Sequence, residues 1–187
     1  MLKQLLEIGL DINTRDCNGV TLLMCAIKNK KNNIALFLLS EYADTTIKDN
    51  NGVTALMYAI KYKQIEVFVH LMKKNVNVNY EDNNGVTALM YAVEGNEKNI
   101  VKLLIKRGAD VNHRDNLGES VLMKAYKHGF CDIGDLLERN GALNIVSGFN
   151  KMRISFQKRH AFSIASETVP VRNFFLLDDE DMIISNI

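Results

Sequence analysis

The sequence has almost no net charge. Its 187 residues carry a formal +1, the part up to Asn144 contributing +1 and the remainder zero. No bulk field therefore draws the chain to nucleic acid or to an anionic membrane. Cysteine is scarce and odd in number: Cys17, Cys25 and Cys131 form no CxxC pair, which points to reduced thiols in an intracellular compartment. No N-x-Ser/Thr sequon occurs despite the many asparagines. The opening MLKQLLEIGLDINTRD is too short and too acid-interrupted to be a secretory leader, and nowhere do 18 apolar residues run together, so a membrane span is not expected. The cytoplasm is the expected location, with the nucleus as the alternative.

Catalytic patterns are missing as well. The four histidines, His70, His113, His128 and His160, form no HExxH, and no GxxxxGK[ST], GxGxxG or GxSxG is present. His128 and Cys131 make a single H-x-x-C pair, short of the ligands that a zinc site needs. Asp132 and Asp135 fall on the polar face of an amphipathic segment, where solvation accounts for them. The chain is expected to be no enzyme and to use no cofactor or metal.

What the chain does contain is repetition. DNNGVTALMYA stands at 49–59 and again, unchanged, at 82–92. The interval of 33 residues extends back to Asp16 and on to Asp115, and Gly19, Gly52, Gly85 and Gly118 keep the same step. A fixed period of this size marks stacked supersecondary units, each of which buries its apolar face against its neighbours. Within one period, Asn-Gly suits a tight turn with positive φ, Thr87 can cap the short helix VTALMYAVE, and NEKNIVKLLIKRG places Ile100, Leu103 and Leu104 on one helical face before Gly108 ends it. The unit reads as turn, helix, helix, return.

These residues resemble the ankyrin repeat, with GVTLLMCAI, GVTALMYAI, GVTALMYAV and GESVLMKAY matching its first helix. LLEIGLDIN, LLSEYADTT, LMKKNVNVN, LLIKRGADVN and LLERNGALN match the end of its second. The resemblance spans about residues 1–145 and implies an all-α ankyrin repeat solenoid, with a β-turn and two antiparallel helices per 33-residue repeat. The expected divisions are an N-terminal half repeat at 1–15, repeats at 16–48, 49–81 and 82–114, a C-terminal repeat at 115–145 and a non-repeat tail at 146–187.

Departures from the family pattern carry expectations of their own. Leu22, Ala55, Ala88 and Val121 replace its proline, and Met24, Met57, Met90 and Met123 its histidine, which should loosen the start of each first helix while methionine fills the core. Tyr42 and Asn75 stand where Gly9, Gly108 and Gly141 end the other second helices. Asparagine tolerates the left-handed conformation, whereas Tyr42 predicts strain or a changed helix end, so 16–48 should be the least regular repeat. The chain also starts within a second helix, leaving Leu2, Leu5 and Leu6 half covered, which implies either an unusual cap or a product truncated upstream.

The resemblance further implies a partner protein lying along the concave surface of turn tips and first helices. In this sequence that row is Lys28 and Asn29; Lys48; Asn50, Asn51, Lys61 and Tyr62; Glu81; Asn83, Asn84 and Glu94; Arg114, Asn116, Leu117, Lys127 and His128. Its charge runs from basic to acidic and back, an alternation that sets orientation and association rate, and Tyr62 and Leu117 are the expected anchors. No nucleic acid, membrane or small-molecule substrate is expected, and the chain is expected to be monomeric. The reading is a scaffold or adaptor; the alternatives are a targeting fragment of a larger kinase or ligase, or an inhibitor masking a transcription factor or enzyme. The tail adds KMRISFQKRHAFSIASETVPVRN, basic and hydroxyl-rich, and FFLLDDEDMIISNI, apolar and then acidic. It reads as a disordered segment, a cover for the last repeat or a docking peptide, with Ser163 and Ser166 as candidate phosphate acceptors.

Overall fold

A computed structural model describes Gln4 and residues 9–143. The expectations for Leu2, Leu5 and Leu6 and for the tail with its serines lie outside the described residues. Eight helices are described: α1 (Leu22–Lys28), α2 (Asn32–Ser40), α3 (Ala55–Lys61), α4 (Ile65–Lys73), α5 (Ala88–Glu94), α6 (Lys98–Lys106), α7 (Val121–Lys127) and α8 (Cys131–Arg139). Each pair is a short helix of 7 residues followed by a longer one of 9. The odd-numbered helices stack in sequence, and each packs on the even-numbered helix that follows it.

Local chemistry sets these lengths. Thr21, Thr54, Thr87 and Ser120 cap α1, α3, α5 and α7, each hydroxyl accepting the N–H of the methionine three residues on. The methionine sulfurs of Met57 and Met123 accept the N–H of Thr54 and Ser120 in return, at 3.5 Å in both cases. The first helices therefore start with closed caps in spite of the missing proline and histidine. Met24, Met57 and Met90 are buried to within 1% of full burial, so methionine supplies packing volume at all three positions and, at Met57, a soft acceptor as well. The helices of each pair are separated by a left-handed residue, Lys30, Lys63, Asn96 or Gly129, which breaks the first helix one residue beyond its cap.

The core is one continuous row of side chains. Leu23, Ile27, Leu56, Ile60, Leu89, Val93, Leu122 and Tyr126 from the first helices meet Leu38, Leu39, Val67, Leu71, Val101, Leu104, Ile133 and Leu137 from the second. Burial of this apolar surface is the main favourable term, at roughly 25 cal/mol per Å² removed from water. Gly134, inside α8, lies against the fully buried Tyr126 ring, and a β-carbon there would overlap that ring.

Tyr42 keeps the ordinary helix end and takes the strained conformation: its φ is +63° and the residue is 85% exposed. Its N–H reaches Leu39 O at 3.4 Å, whereas Gly108 makes the corresponding bond to Ile105 at 2.9 Å. The same unit departs again at Thr46. Asn13, Asn79 and Asn112, at the equivalent position, each accept a backbone N–H from the next unit, from Asp44, Asp110 and Leu143 respectively. Thr46 shares with them the N–H bond to the side chain two residues back, but turns its hydroxyl onto that same Asp44 of its own unit rather than onto the next unit. Residues 16–48 thus combine a strained helix end with a junction that lacks its side-chain staple, while α4 in the next unit closes only through the Lys74 N–H onto Leu71 and is followed by a left-handed Asn75.

Candidate partner-binding surface

Four aspartates build the turns. One carboxylate oxygen of Asp16, Asp49, Asp82 and Asp115 accepts two backbone N–H groups, two and four residues on, at 2.8–3.1 Å. The glycine three residues after each aspartate has positive φ and closes the turn onto the aspartate carbonyl. An isolated bridge then joins the residue before the aspartate to the helix cap: Arg15 to Thr21, Lys48 to Thr54, Glu81 to Thr87 and Arg114 to Ser120.

Successive turns are stitched together by asparagine. The N–H groups of Asn50, Asn83 and Asn116 donate to Asn18, Asn51 and Asn84 of the preceding turn, at 2.8–2.9 Å. Their side-chain amides donate to Cys17, Asn50 and Asn83 carbonyls at 2.9–3.0 Å. Their amide oxygens press on Gly19, Gly52 and Gly85, where no β-carbon fits, while Gly118 has open space on that side. Asn50, Asn83 and Asn116 thus hold the turn row in register, and their amides are engaged in doing so. Asn51 and Asn84 supply carbonyls to the same ladder and leave their side chains exposed.

The other oxygen of Asp49, Asp82 and Asp115 meets a side chain of the first helix, and the residue nine positions on decides which. Tyr58 and Tyr91 donate their hydroxyls to Asp49 and Asp82 at 2.9 Å. Burial, with the aspartate hydrogen bond and its charge, pushes both phenols well above the ordinary tyrosine value. Lys124 takes the place in the last unit, 3.0 Å from Asp115, 2.9 Å from Glu94 and 3.5 Å from Glu119. Desolvation would lower Lys124, but the bonds to Glu94 and Asp115 outweigh it and hold the ammonium above its ordinary value. Burial likewise pulls Asp115 upward, and its bond to Lys124 and its backbone bonds carry it below the usual carboxylate value. The sequence reading missed Tyr58, Tyr91 and Lys124; their 33-residue spacing and their place between a Met and an Ala of each first helix were the available signal.

The charges on the row fall into two groups. Lys127 pairs with Glu119 at 2.7 Å and Glu94 with Lys124, so the acidic and basic groups at that end largely satisfy each other. Glu81 lies 3.7 Å from His113. Lys28, Lys48 and Lys61 have no carboxylate at ion-pair distance among the described residues. Lys48 donates to Glu81 O at 2.8 Å beside the Tyr80 ring, and Lys61 lies 5.9 Å from the Tyr91 centroid. Arg114 donates to Gly118 O. The alternation read along the sequence becomes, in three dimensions, an unpaired basic half and an internally neutralised half.

The aromatic and apolar positions are also distinct. Tyr62 caps the end of α3 and stacks on Tyr58 with 5.7 Å between centroids, which fixes its ring half-buried. Leu117 stands 86% exposed at a turn tip. His128 stacks on Phe130, and Asn29 turns its amide back to Cys25 O. Cys17 and Cys25 are exposed and Cys131 is half-buried, so the thiol beside His128 is less enclosed than a core residue. No group of three or more His, Cys, Asp or Glu residues that could hold a metal is present among the described residues. No described helix is long and apolar enough to cross a membrane.

A comparison with curated proteins finds no match. The family profile described as Ankyrin repeats (3 copies) matches residues 1–82 and 68–147. Together with the aspartate-closed turns, the paired helices and their stacking, this coverage of most of the chain places the protein in the ankyrin repeat family.

Proposed function

We propose that the protein is a non-enzymatic scaffold or adaptor that binds a partner protein along the concave surface of turns and first helices. Ankyrin repeats are protein–protein interaction modules. The observation that carries the finer reading is the contrast within the row: the asparagine ladder fixes the backbone, and Tyr62, Leu117, Lys28 and Lys61 project from it. A preformed backbone reduces the ordering cost of association, and a braced aromatic is the side-chain type that most often carries binding energy. On this reading the units are the half repeat 1–15, the repeats 16–48, 49–81, 82–114 and 115–145, and the tail from 146. The protein acts as a monomer in the cytoplasm.

Affinity capture from source-cell lysate tests the proposal, comparing the intact chain with a Tyr62→Ala, Leu117→Ala variant. The expected outcome is a partner retained by the intact chain and weakened about tenfold or more in the variant, the usual scale for two anchor truncations. Equal capture by both would move binding off this row.

A further inference from the structure

The unpaired lysines have a counterpart within the same chain. Lys28, Lys48 and Lys61 sit at one end of the row with no carboxylate partner among the described residues, while Lys124 and Lys127 at the other end have theirs. Among those residues Lys48 meets only a backbone carbonyl and the Tyr80 ring, and Lys61 only the Tyr91 ring, while in the same unit as Lys61 the rings of Tyr58 and Tyr62 stack on each other. A ligand suited to this surface is a peptide that offers several acids next to bulky apolar side chains. Residues 174–181 of this chain, Phe-Phe-Leu-Leu-Asp-Asp-Glu-Asp, have that composition in that order. The tail's own cations all precede them, the last being Arg172.

We propose that residues 174–181 dock in cis on the basic half of the turn and first-helix surface, the acids Asp178, Asp179, Glu180 and Asp181 against Lys28, Lys48 and Lys61, and Phe174 and Phe175 against the Tyr58–Tyr62 pair. The inference rests on the concave surface being the binding surface and adds that the chain carries its own competitor for it. Reach does not oppose this. Asn144 and Phe174 are 30 positions apart, a contour of up to about 100 Å, whereas α7 and α1 are three helix packings apart, roughly 30 Å. Tethering gives an effective concentration on the order of millimolar, so a contact too weak to persist between separate molecules is populated within one. An external partner must then displace the segment, and any change that removes its charge raises the apparent affinity of the surface.

Amine footprinting of the full-length chain tests the proposal. Acetylation rates at Lys28, Lys48 and Lys61 are compared with that at Lys102, exposed on α6, in the wild type and in a D178N/D179N/E180Q/D181N variant. The three lysines should react at least threefold faster in the variant, with Lys102 unchanged, and about 0.5 M salt should produce the same release in the wild type by screening. A second variant, F174A/F175A, should accelerate Lys61, the lysine that precedes Tyr62 in sequence. Rates that ignore both variants would overturn the inference, and protection that grows with protein concentration would do so too by assigning the segment to a second copy. If footprints ignore the tail while the Tyr62, Leu117 variant still loses its partner, the cis contact falls and the binding surface stands. If the footprints respond while capture is indifferent to that variant, the cis contact stands and the partner surface lies elsewhere.

Discussion

At Tyr42 the protein holds a non-glycine residue in the left-handed region with its ring almost wholly in solvent. The conformation costs about 1 kcal/mol or more for an L-residue, and the contact with Lys74, 5.2 Å from the ring centroid, returns only part of that at an exposed site. Tyr42→Gly should therefore raise stability by about 1 kcal/mol, read as a higher urea midpoint with unchanged slope. Gly134 argues the opposite way. Glycine within a helix is ordinarily improved by alanine, by up to about 1 kcal/mol, yet the added methyl here meets a ring that is itself fully buried and cannot withdraw. Gly134→Ala should destabilise by about 1–3 kcal/mol, the usual cost of overpacking, and chemical denaturation of the two variants side by side separates the effects.

At the scale of the element, the informative comparison is between junctions. Asn79 and Asn112 clamp the following unit from its second-helix side, each accepting one N–H and donating to a glycine carbonyl at 3.0 Å. Thr46 makes no such bond across its junction, so the unit opening at Asp16 depends on turn and core contacts there. Thr46→Asn should restore the staple, with Asn77 as the receiving residue, and add about 1 kcal/mol; amide exchange in α1 and α2 should slow accordingly. Much of this element was readable beforehand. The 33-residue period, the aspartate-glycine turn, the threonine caps and the glycine-like ends are local signals, and each formed as its chemistry requires. The left-handed Lys30 and Lys63 were not readable, because a lysine carries no local preference for positive φ and only the helix packing on both sides imposes it. The asparagines of the turn row illustrate a different limit. Their exposure is visible from the pattern, but that Asn50, Asn83 and Asn116 spend their amides on the previous turn follows only from the stacking distance between units. Lys124 escaped for the same reason: its three carboxylates come from α5, from a turn and from beyond that turn.

Over the whole molecule the charges divide by end; Asp44 is also held below its ordinary value by its hydrogen bonds from Thr46, but it is exposed and counts for little, so acid should act on the Lys124 end first. Asp115 and Glu119 both lie below their ordinary values, 3.8 and 4.5, in the folded protein. For Glu119 the bond to Lys127 leads and outweighs burial; for Asp115 burial is the largest influence and is overcome by Lys124 and the turn N–H groups. A carboxyl that is more acidic when folded adds stability that is complete above its unfolded value and is lost as pH falls through its folded one. Stability should hold level from neutral pH to about 5 and then fall below about 4. Because each unit contacts only its neighbours, the loss should appear first as weakened amide protection in α7 and α8, with α3 and α4 retained longer. Replacing the cation checks the cause. In Lys124→Met the Asp115 carboxylate, whose side chain is only 1% exposed, has no ammonium to face, and the variant should lose on the order of 2 kcal/mol at pH 7. Its Asp115 then favours the protonated form, so acid relieves the variant while it weakens the wild type. The gap between the two urea midpoints should accordingly narrow as pH is lowered from 7 to about 3.5, and a gap that stays constant would assign the acid sensitivity to carboxylates outside the Lys124 cluster.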